Sequence, residues 1–535
     1  MSKILKKIDE FNNNHYLNVV RMSKDKFLSL KQLKYEKKLS QEHLANLIYL
    51  GNNGYIEANI TDINDKEDLK KLYEIDILGK GGQGVVYKTK NADTVIKIAL
   101  NNDQPIKNKK EIKSFHQKIK KLIYKPLPNN INIAKPLAVL EDEAGYVMNL
   151  LDGMYPFAEL LPQELSKEKA ESLEVPSFLN ELEKNDKRSA IYFTHYLNTG
   201  GLRKRLYSLS RLAIVLYRLH SRGIVYFDIS HNNIFMNNDN IPLIYLIDAD
   251  NIEYESANKS TVYTPNFEVP EVVNDEPNTT YSDIYAFGIL SYLTLTTTHP
   301  FDGIGLDEAD WDSDEADNKE KWELPWIEDS NDDSNKSKNG LKGPLTITQE
   351  LYKLFHQLFE EGKEDKYARP TLPLWIEVLE KAASLTLVCK NCDMSYYDNL
   401  FQECPYCQTT KPKRLVIESF YYKDGQKQQL RWQFVKEINE NTKTVELPSY
   451  IFKTFNILEI DDIYLEIDDI YLEIKFPNKS RIELTFNKTD EEIYFKSKTP
   501  MKIYKKKVGL GELENGISII TQSDITTLVE IKIEK

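Results

Sequence analysis

Long apolar runs are missing from this 535-residue chain: no stretch approaches the roughly 18 apolar residues that a membrane-spanning helix needs. The segment Met-Ser-Lys-Ile-Leu-Lys-Lys-Ile-Asp-Glu has no apolar run behind it either, so the expected location is the cytoplasm. Positive charge is in short supply. Lys and Arg number 70 against 83 Asp and Glu, and the formal net charge of -13 argues against bulk binding to nucleic acid or anionic membrane. Cysteine is scarcest of all, with four residues in one cluster, and a cytoplasmic chain is not expected to use them as disulfides. What remains, 41% hydrophobic and 29% charged residues, fits a globular protein of two or three domains.

Residues 1 to about 70 read as short helices. Phe27, Leu28, Leu30 and Leu33 recur at helical spacing, and Ser40 is placed to cap a helix carrying Leu44, Leu47 and Ile48. The run from Leu39 to Ala45 is similar to the start of a phage-repressor-type helix-turn-helix, which opens the alternative of a DNA-associated regulator. However, Gly51 to Glu57 carries no Arg or Lys to grip a phosphate or base edge. From 72 to 150 the pattern turns strand-like around Val85, Val86, Val95, Ile96 and Ile98, with a lysine-rich helical stretch from Lys107 to Ile123. Residues 151 to 205 form a charged, mostly helical expansion, and helical periodicity dominates from Leu206 to Leu387.

Between Asp302 and Asp333 the acids Asp307, Glu308, Asp310, Asp312, Asp314 and Glu315 crowd together, as in a solvated loop, and Trp311, Trp322 and Trp326 among them suggest docking of a partner. After Pro412 the chain alternates as strands do, reading as a separate β-sandwich or barrel. Within it Glu459 to Leu465 is repeated as Glu466 to Leu472. Seven is odd, so a hairpin or bulge must separate the copies if each residue is to keep its face.

Chemistry enters with Gly79, Gly81 and Gly84, a Gly-x-Gly-x-x-Gly run between two strand patterns, where missing Cβ atoms let backbone amides approach phosphate. A dinucleotide site would need a helix to open at the third glycine, whereas Val85-Val86-Tyr87 continues as strand. Lys97 stands thirteen positions after Gly84 in an apolar strand, the setting of a phosphate-holding lysine. Of the acids between Lys97 and Glu141, Asp103 and Glu111, only Glu111 falls on the helical stretch, so it is the expected partner of that lysine. Further on, Gly-Ile-Val-Tyr-Phe-Asp-Ile-Ser-His-Asn-Asn at 223 to 233 keeps an Asp-x-x-x-x-Asn spacing in Asp228 and Asn233, and Leu246-Ile247-Asp248-Ala249-Asp250 follows a strand.

In this order the motifs resemble those of the protein kinases, over roughly Leu72 to Leu387. The resemblance implies an α+β, bilobal protein-kinase fold and a Mg-ATP-dependent serine/threonine kinase, in which Asp228 takes the proton of the substrate hydroxyl and Asn233 and Asp248 hold Mg²⁺. It implies Met148 at the back of the adenine pocket, with Asn149 and Leu151 offering backbone hydrogen bonds to ATP. Thr264 to Glu271 is similar to the segment ending in Ala-Pro-Glu, with Val269 in the alanine's place. Glu271 should then pair with Arg369 of Tyr367-Ala368-Arg369-Pro370, while Asp283 supports the catalytic loop.

The chain departs from that pattern at several positions. Tyr226 and Phe227 replace the usual His-Arg, which implies activity not gated by activation-loop phosphorylation, although Ser260, Thr261 and Thr264 remain modifiable. Ser230 stands where a lysine usually touches the γ-phosphate, lowering the expected rate. Ala249 and Asp250 replace the Phe and Gly of the metal motif. A non-catalytic ATP-binding scaffold is therefore the alternative reading, set against the retention of Lys97, Asp228, Asn233 and Asp248.

Cys389-x-x-Cys392 and Cys404-x-x-Cys407, eleven residues apart, use every cysteine. Four thiolates at this spacing suit a closed, structural Zn²⁺ site. The division expected is a helical extension (1–70), a kinase domain (71–387), a zinc ribbon (388–411) and a β-rich C-terminal domain (412–535). A kinase followed by a zinc ribbon resembles certain bacterial kinases found beside a von Willebrand A-type protein and a metal-dependent protein phosphatase, which implies those partners.

Overall fold

The computed structural model describes residues 77–81, 84–88, 94–102, 104–128, 131–140, 143–249, 252–257, 263–304, 324–337, 343–438 and 444–451, and the tail strands within 462–534. The helical leader over 1–70 with its helix-turn-helix, the six crowded acids, Trp311 and Trp322, Asp250, Ser260 and Thr261 lie outside the described residues.

The first lobe is an antiparallel sheet of β1 (Ile77–Gly81), β2 (Gly84–Lys88), β3 (Thr94–Asn101), β4 (Pro136–Val139) and β5 (Gly145–Asn149). Their order is β1-β2-β3-β5-β4, and Gln104–Pro105 adds to β3. The strand β3 is buried from Thr94 to Ala99 on both faces, as its unbroken Val-Ile-Lys-Ile-Ala run suits. One helix, α1 (Lys109–Tyr124), covers the sheet; Asn108 caps it by accepting from Lys110 N at 2.9 Å. Its apolar stripe puts Ile119 in the core and stacks Phe115 on Tyr146 with ring centroids 6.3 Å apart.

The second lobe packs α2 (Lys187–Asn198), α3 (Gly201–His220), α4 (Thr280–Thr296), α5 (Gln349–Phe359) and α6 (Leu372–Ser384). α4 is buried on nearly every side, as its sequence, apolar all round, requires. Thr279 and Ser282 close a capping box at its start. Trp326, read from the sequence as part of a docking loop, is instead core. It is 1% exposed, packs on Tyr292 and Phe359, and donates from Nε1 to Glu360 Oε1 at 3.1 Å. Apolar burial outweighs the acidic neighbourhood for a side chain this large.

Four short strands deliver the loops of this lobe. β6 (Ile224–Val225) pairs with β9 (Glu253–Tyr254), and β7 (Ile234–Met236) pairs with β8 (Ile244–Leu246). β10 (Thr386–Val388) and β11 (Ser395–Tyr397) then form a small hairpin carrying the first cysteine pair.

The tail is β-rich as expected. β12 (Arg414–Lys423) and β13 (Gln426–Glu437) join Thr526–Glu534, Ile517–Gln522 and Lys502–Tyr504 in one five-stranded sheet, and a five-stranded meander runs from Thr444–Pro448 to Ile493–Lys496. The junction of the two seven-residue copies, Leu465–Glu466, lies inside one strand, Asp462–Ile467, so, contrary to expectation, no hairpin separates the copies; that strand pairs with Leu472–Lys475, Ile467 opposite Leu472. The tail is not packed apart from the helical lobe, however. One hydrophobic cluster runs from α3, α4 and α6 through Met394, Tyr396 and Tyr397 to Val416 and Val435.

Polar contacts secure the same junction. Ser395 Oγ accepts from Leu202 N (2.6 Å) and Arg203 N (3.1 Å), capping α3 from the cysteine-bearing hairpin; a Cβ at Gly201 (φ +62) would sit 2.5 Å from that oxygen. Arg203 donates to Thr386 Oγ1 at 2.8 Å and grips Glu437 through two bonds of 2.6 and 2.8 Å. Burial works to raise the Glu437 pKa, but the Arg203 guanidinium outweighs it and holds the carboxyl at about 2.

Candidate active site

β1 and β2 form a hairpin in which Gly81 pairs with Gly84, so the glycine run lies at a turn on the sheet edge. Gly84 crosses β3 closely enough that a Cβ there would lie 2.8 Å from Ile98 O and 3.0 Å from Lys97 Cε, whereas among the described residues nothing lies within 4 Å of a Cβ at Gly79. One glycine therefore serves packing, and the other leaves the space above it open. Lys97 is 4% exposed, and its Nζ donates to Asp248 Oδ1 at 2.7 Å across the two lobes.

That pairing corrects the expectation for Glu111. Glu111 is exposed in the first turn of α1, where the positive end of the helix dipole favours an acid, and the packing on the sheet is made by Phe115 and Ile119, four and eight positions further along the same face. The carboxylate on Lys97 comes from the other lobe. Met148 is buried in the cluster that also holds Val95, with Val86, Leu151 and Ile247 packed against it, while Asn149 is exposed at the end of β5 opposite Thr94. Met148 and Leu151 thus share one apolar cluster with Ile247, the residue before Asp248.

In the catalytic loop, Asp228 is buried. Its Oδ1 accepts from Thr264 Oγ1 at 2.7 Å, and its backbone oxygen accepts from Asn233 Nδ2 at 2.9 Å. Asp283 on α4 holds the loop from beneath: it accepts from Tyr226 N (2.8 Å) and Phe227 N (2.7 Å), and His220 Nε2 lies 2.9 Å from it. Those bonds stabilise an unfavourable backbone, since Phe227 sits at φ +45, a left-handed conformation costly for a bulky residue. Tyr226 is fully buried and donates to Ile247 O at 2.6 Å, while Ile247 N donates to Asn233 O at 3.0 Å. Asp248 follows at φ +50, so the strand ends in a left-handed turn that presents the carboxylate to Lys97. Asp228, Asn233, Asp248 and Lys97 are therefore joined in one network. Ser230 is fully buried, and its hydroxyl has no hydrogen-bond partner among the described residues, so it brings no cation to this network. Ala249 is core.

Thr264 and Tyr226 make contacts in this network that the sequence pattern did not indicate. Thr264 read as a phosphorylation target and Tyr226 as a departure, and only the folded segment shows what each hydroxyl touches. Glu271 and Arg369, 98 residues apart, meet as expected through bonds of 2.7 and 3.0 Å, with Arg369 also donating to Tyr281 O and Gly362 O.

The four cysteines converge as a second site. All four Sγ atoms lie within 4.8 Å of one another, with Cys389 to Cys407 at 3.5 Å and Cys392 to Cys404 at 3.6 Å. A tetrahedral ion at about 2.3 Å from each sulfur would set them about 3.8 Å apart, so the donor set fits. Each knuckle closes with a left-handed residue, Asp393 at φ +57 and Gln408 at φ +59. The hydrogen bond shared by Cys392 and Cys404 draws the Cys404 thiol down and pushes the Cys392 thiol up.

The fold thus joins an antiparallel sheet bearing a buried lysine to a helical lobe whose loops carry two aspartates and an asparagine. Residues 183–381 match the family model described as protein kinase domain. The chain is 36% identical over 97 residues to ribosomal protein S6 kinase alpha-3 of Homo sapiens, covering 18% of this chain and 13% of that protein. It is 38% identical over 90 residues to death-associated protein kinase 2 of Mus musculus, covering 16% of this chain and 24% of that protein. The matches thus span less than a quarter of the length of these relatives. Residues 183–381 are thus similar to a protein kinase domain, and the glycine hairpin and Lys97 lie ahead of the matched residues.

Proposed function

We infer that the protein is a Mg-ATP-dependent kinase that phosphorylates Ser or Thr of a protein substrate. The observation that carries this reading is the single network joining Lys97, Asp228, Asn233 and Asp248 across the cleft. In the reaction, the acceptor oxygen forms its bond to the γ-phosphorus as the bond to the ADP oxygen breaks, and Asp228 takes the hydroxyl proton. Lys97 would hold the α- and β-phosphates, Asn233 and Asp248 the Mg²⁺, and the hairpin around Gly79 and Gly81 would cover the phosphates. Mg²⁺ held there would supply positive charge against the charge that develops on the transferred phosphate. Thr264 supports an aliphatic acceptor, because its hydroxyl already donates to Asp228 Oδ1 in the manner a substrate Ser or Thr would. Resemblance to certain bacterial kinases, and not the network, is what supports a von Willebrand A-type protein and a metal-dependent protein phosphatase as partners.

The test is transfer of label from γ-labelled ATP to proteins of the source cell, followed by acid hydrolysis. Phosphoserine or phosphothreonine is expected; phosphotyrosine alone would refute the acceptor class. Ser230 favours the second reading, a nucleotide-binding scaffold, since it withholds the charge a lysine would supply. Binding of ATP with no transfer in Mg²⁺ or Mn²⁺ would establish that reading instead.

The cysteine cluster is read as structural Zn²⁺, closed by four protein ligands. Because Ser395 of the same hairpin caps α3, loss of the metal should loosen the helix that leads into the catalytic loop. Replacing Cys389 and Cys404 by Ser should lower zinc per chain from about one to near zero and depress the thermal midpoint. Metal retained in that variant would refute the assignment.

A further inference from the structure

Lys125 ends α1 as its C-cap residue. Lys109, Lys110, Lys113, Lys118, Lys120 and Lys121 on that helix are exposed, yet Lys125 is 9% exposed. Its ammonium leaves the sheet lobe and reaches the strand that follows Asp248. There it donates to Ile252 O at 3.3 Å and to Glu253 Oε1, and it lies 4.7 Å from the centre of the Tyr254 ring. A buried ammonium is costly unless it is paired, and here an acceptor, a counter-charge and an aromatic face come from three consecutive residues. Burial works to raise the Glu253 pKa, but the Lys125 bond helps to hold it below the ordinary carboxylate range.

Those three residues are themselves tied to the catalytic loop. Glu253 pairs with Val225 and Tyr254 with Ile224 in the β9–β6 ladder, immediately before Tyr226 and Asp228. Glu255 N donates to Gly223 O at 2.9 Å, and Glu255 Oε1 accepts from Thr280 N at 3.2 Å at the start of α4. A continuous set of contacts therefore runs from the end of α1 through β9 and β6 to Asp228.

We propose that Lys125 is a positioning residue: with Glu253 and Tyr254 it latches the strand after Asp248 to the helix of the sheet lobe, ordering the catalytic segment in the unmodified chain. The latch rests on the kinase reading above for its catalytic consequence, though not for its existence. Since the carboxylate that meets the ammonium is encoded in the chain, the segment needs no added phosphate to be held.

The test uses the full chain with Lys125→Met, Glu253→Gln, and the charge-reversed pair Lys125→Glu with Glu253→Lys. Both single variants should lower kcat by about tenfold to a hundredfold, with KM for ATP within about twofold of wild type, because positioning is lost and not binding. Deuterium uptake over residues 252–257 should rise in each. The reversed pair should recover most of kcat and of the protection, the coupling a direct ion pair requires. Phosphatase-treated wild type should keep its rate. Wild-type kcat and uptake in the single variants, or a reversed pair no better than either, would overturn the latch, as would a phosphatase-sensitive rate. If the wild type transfers no phosphate the kinase reading fails, and the uptake data alone decide the latch. If Lys125→Met does not fold, Glu253→Gln decides it, because that carboxylate is 42% exposed.

Discussion

Asp228→Asn lowers the rate of γ-phosphate transfer by about a thousandfold and leaves the fold intact, because it removes the proton acceptor without removing the shape. Thr264 Oγ1 can still donate to an amide oxygen at the place of Oδ1, and Asn233 Nδ2 still donates to the backbone oxygen of residue 228. The support from Asp283 acts on the amides of residues 226 and 227 and does not involve the side chain exchanged. Nucleotide affinity should therefore change little, and the loss should fall on kcat. Initial rates at saturating ATP, read beside binding of a fluorescent ATP analogue, check this. Equal rates in the two proteins would remove Asp228 from the chemistry and with it the kinase reading.

Arg369→Ala should cost about 3 to 5 kcal/mol, since it leaves Glu271 buried without its counter-charge. Arg369 is 3% exposed and binds both Glu271 oxygens, Tyr281 O and Gly362 O, with its guanidinium 4.7 Å from the Tyr285 ring centre. Lysine keeps the charge but not the fork, so Arg369→Lys should recover only part of the loss. The effect also has a pH signature. Burial works to raise the Glu271 pKa, yet the hydrogen bonds and charge of Arg369 outweigh that and hold the carboxyl below its ordinary value. A pKa depressed in the folded state contributes stability that is complete above the unfolded value and is lost as pH falls through the folded one. In Arg369→Ala burial is opposed only by the backbone and Ser282 hydrogen bonds, the carboxyl moves upward, and the deficit should narrow as acid protonates Glu271. Urea midpoints at neutral pH and at about pH 4 test both claims. A deficit that does not change with pH would mean that Glu271 is not the group left uncompensated.

Much of the site could be read along the chain because its chemistry sits in short motifs. Asp228 and Asn233 lie within one loop, Asp248 directly follows a strand, and Lys97 sits in an apolar run that β3 does bury. Glu271 and Arg369 are distant in sequence, but each carries its own local motif. Glu111 failed for the opposite reason: it was chosen by elimination among acids near Lys97 in sequence, while the partner in space is Asp248, 151 positions away. Trp326 misled because composition describes a segment's average and not the fate of its largest side chain.

Local spacing and charge therefore settled the chemistry on offer: a glycine hairpin, a lysine, two aspartates and an asparagine in kinase order, and four thiols at metal-binding intervals. Which groups touch was left to the packing of distant elements. Thr264 reaches Asp228, Tyr226 reaches the strand before Asp248, Lys125 crosses between lobes, and Ser395 caps a helix that begins 194 positions earlier. The physical reason is range. Backbone geometry and side-chain chemistry act within a few residues, whereas hydrogen bonds and ion pairs form wherever burial brings partners within about 3 Å, regardless of their separation along the chain.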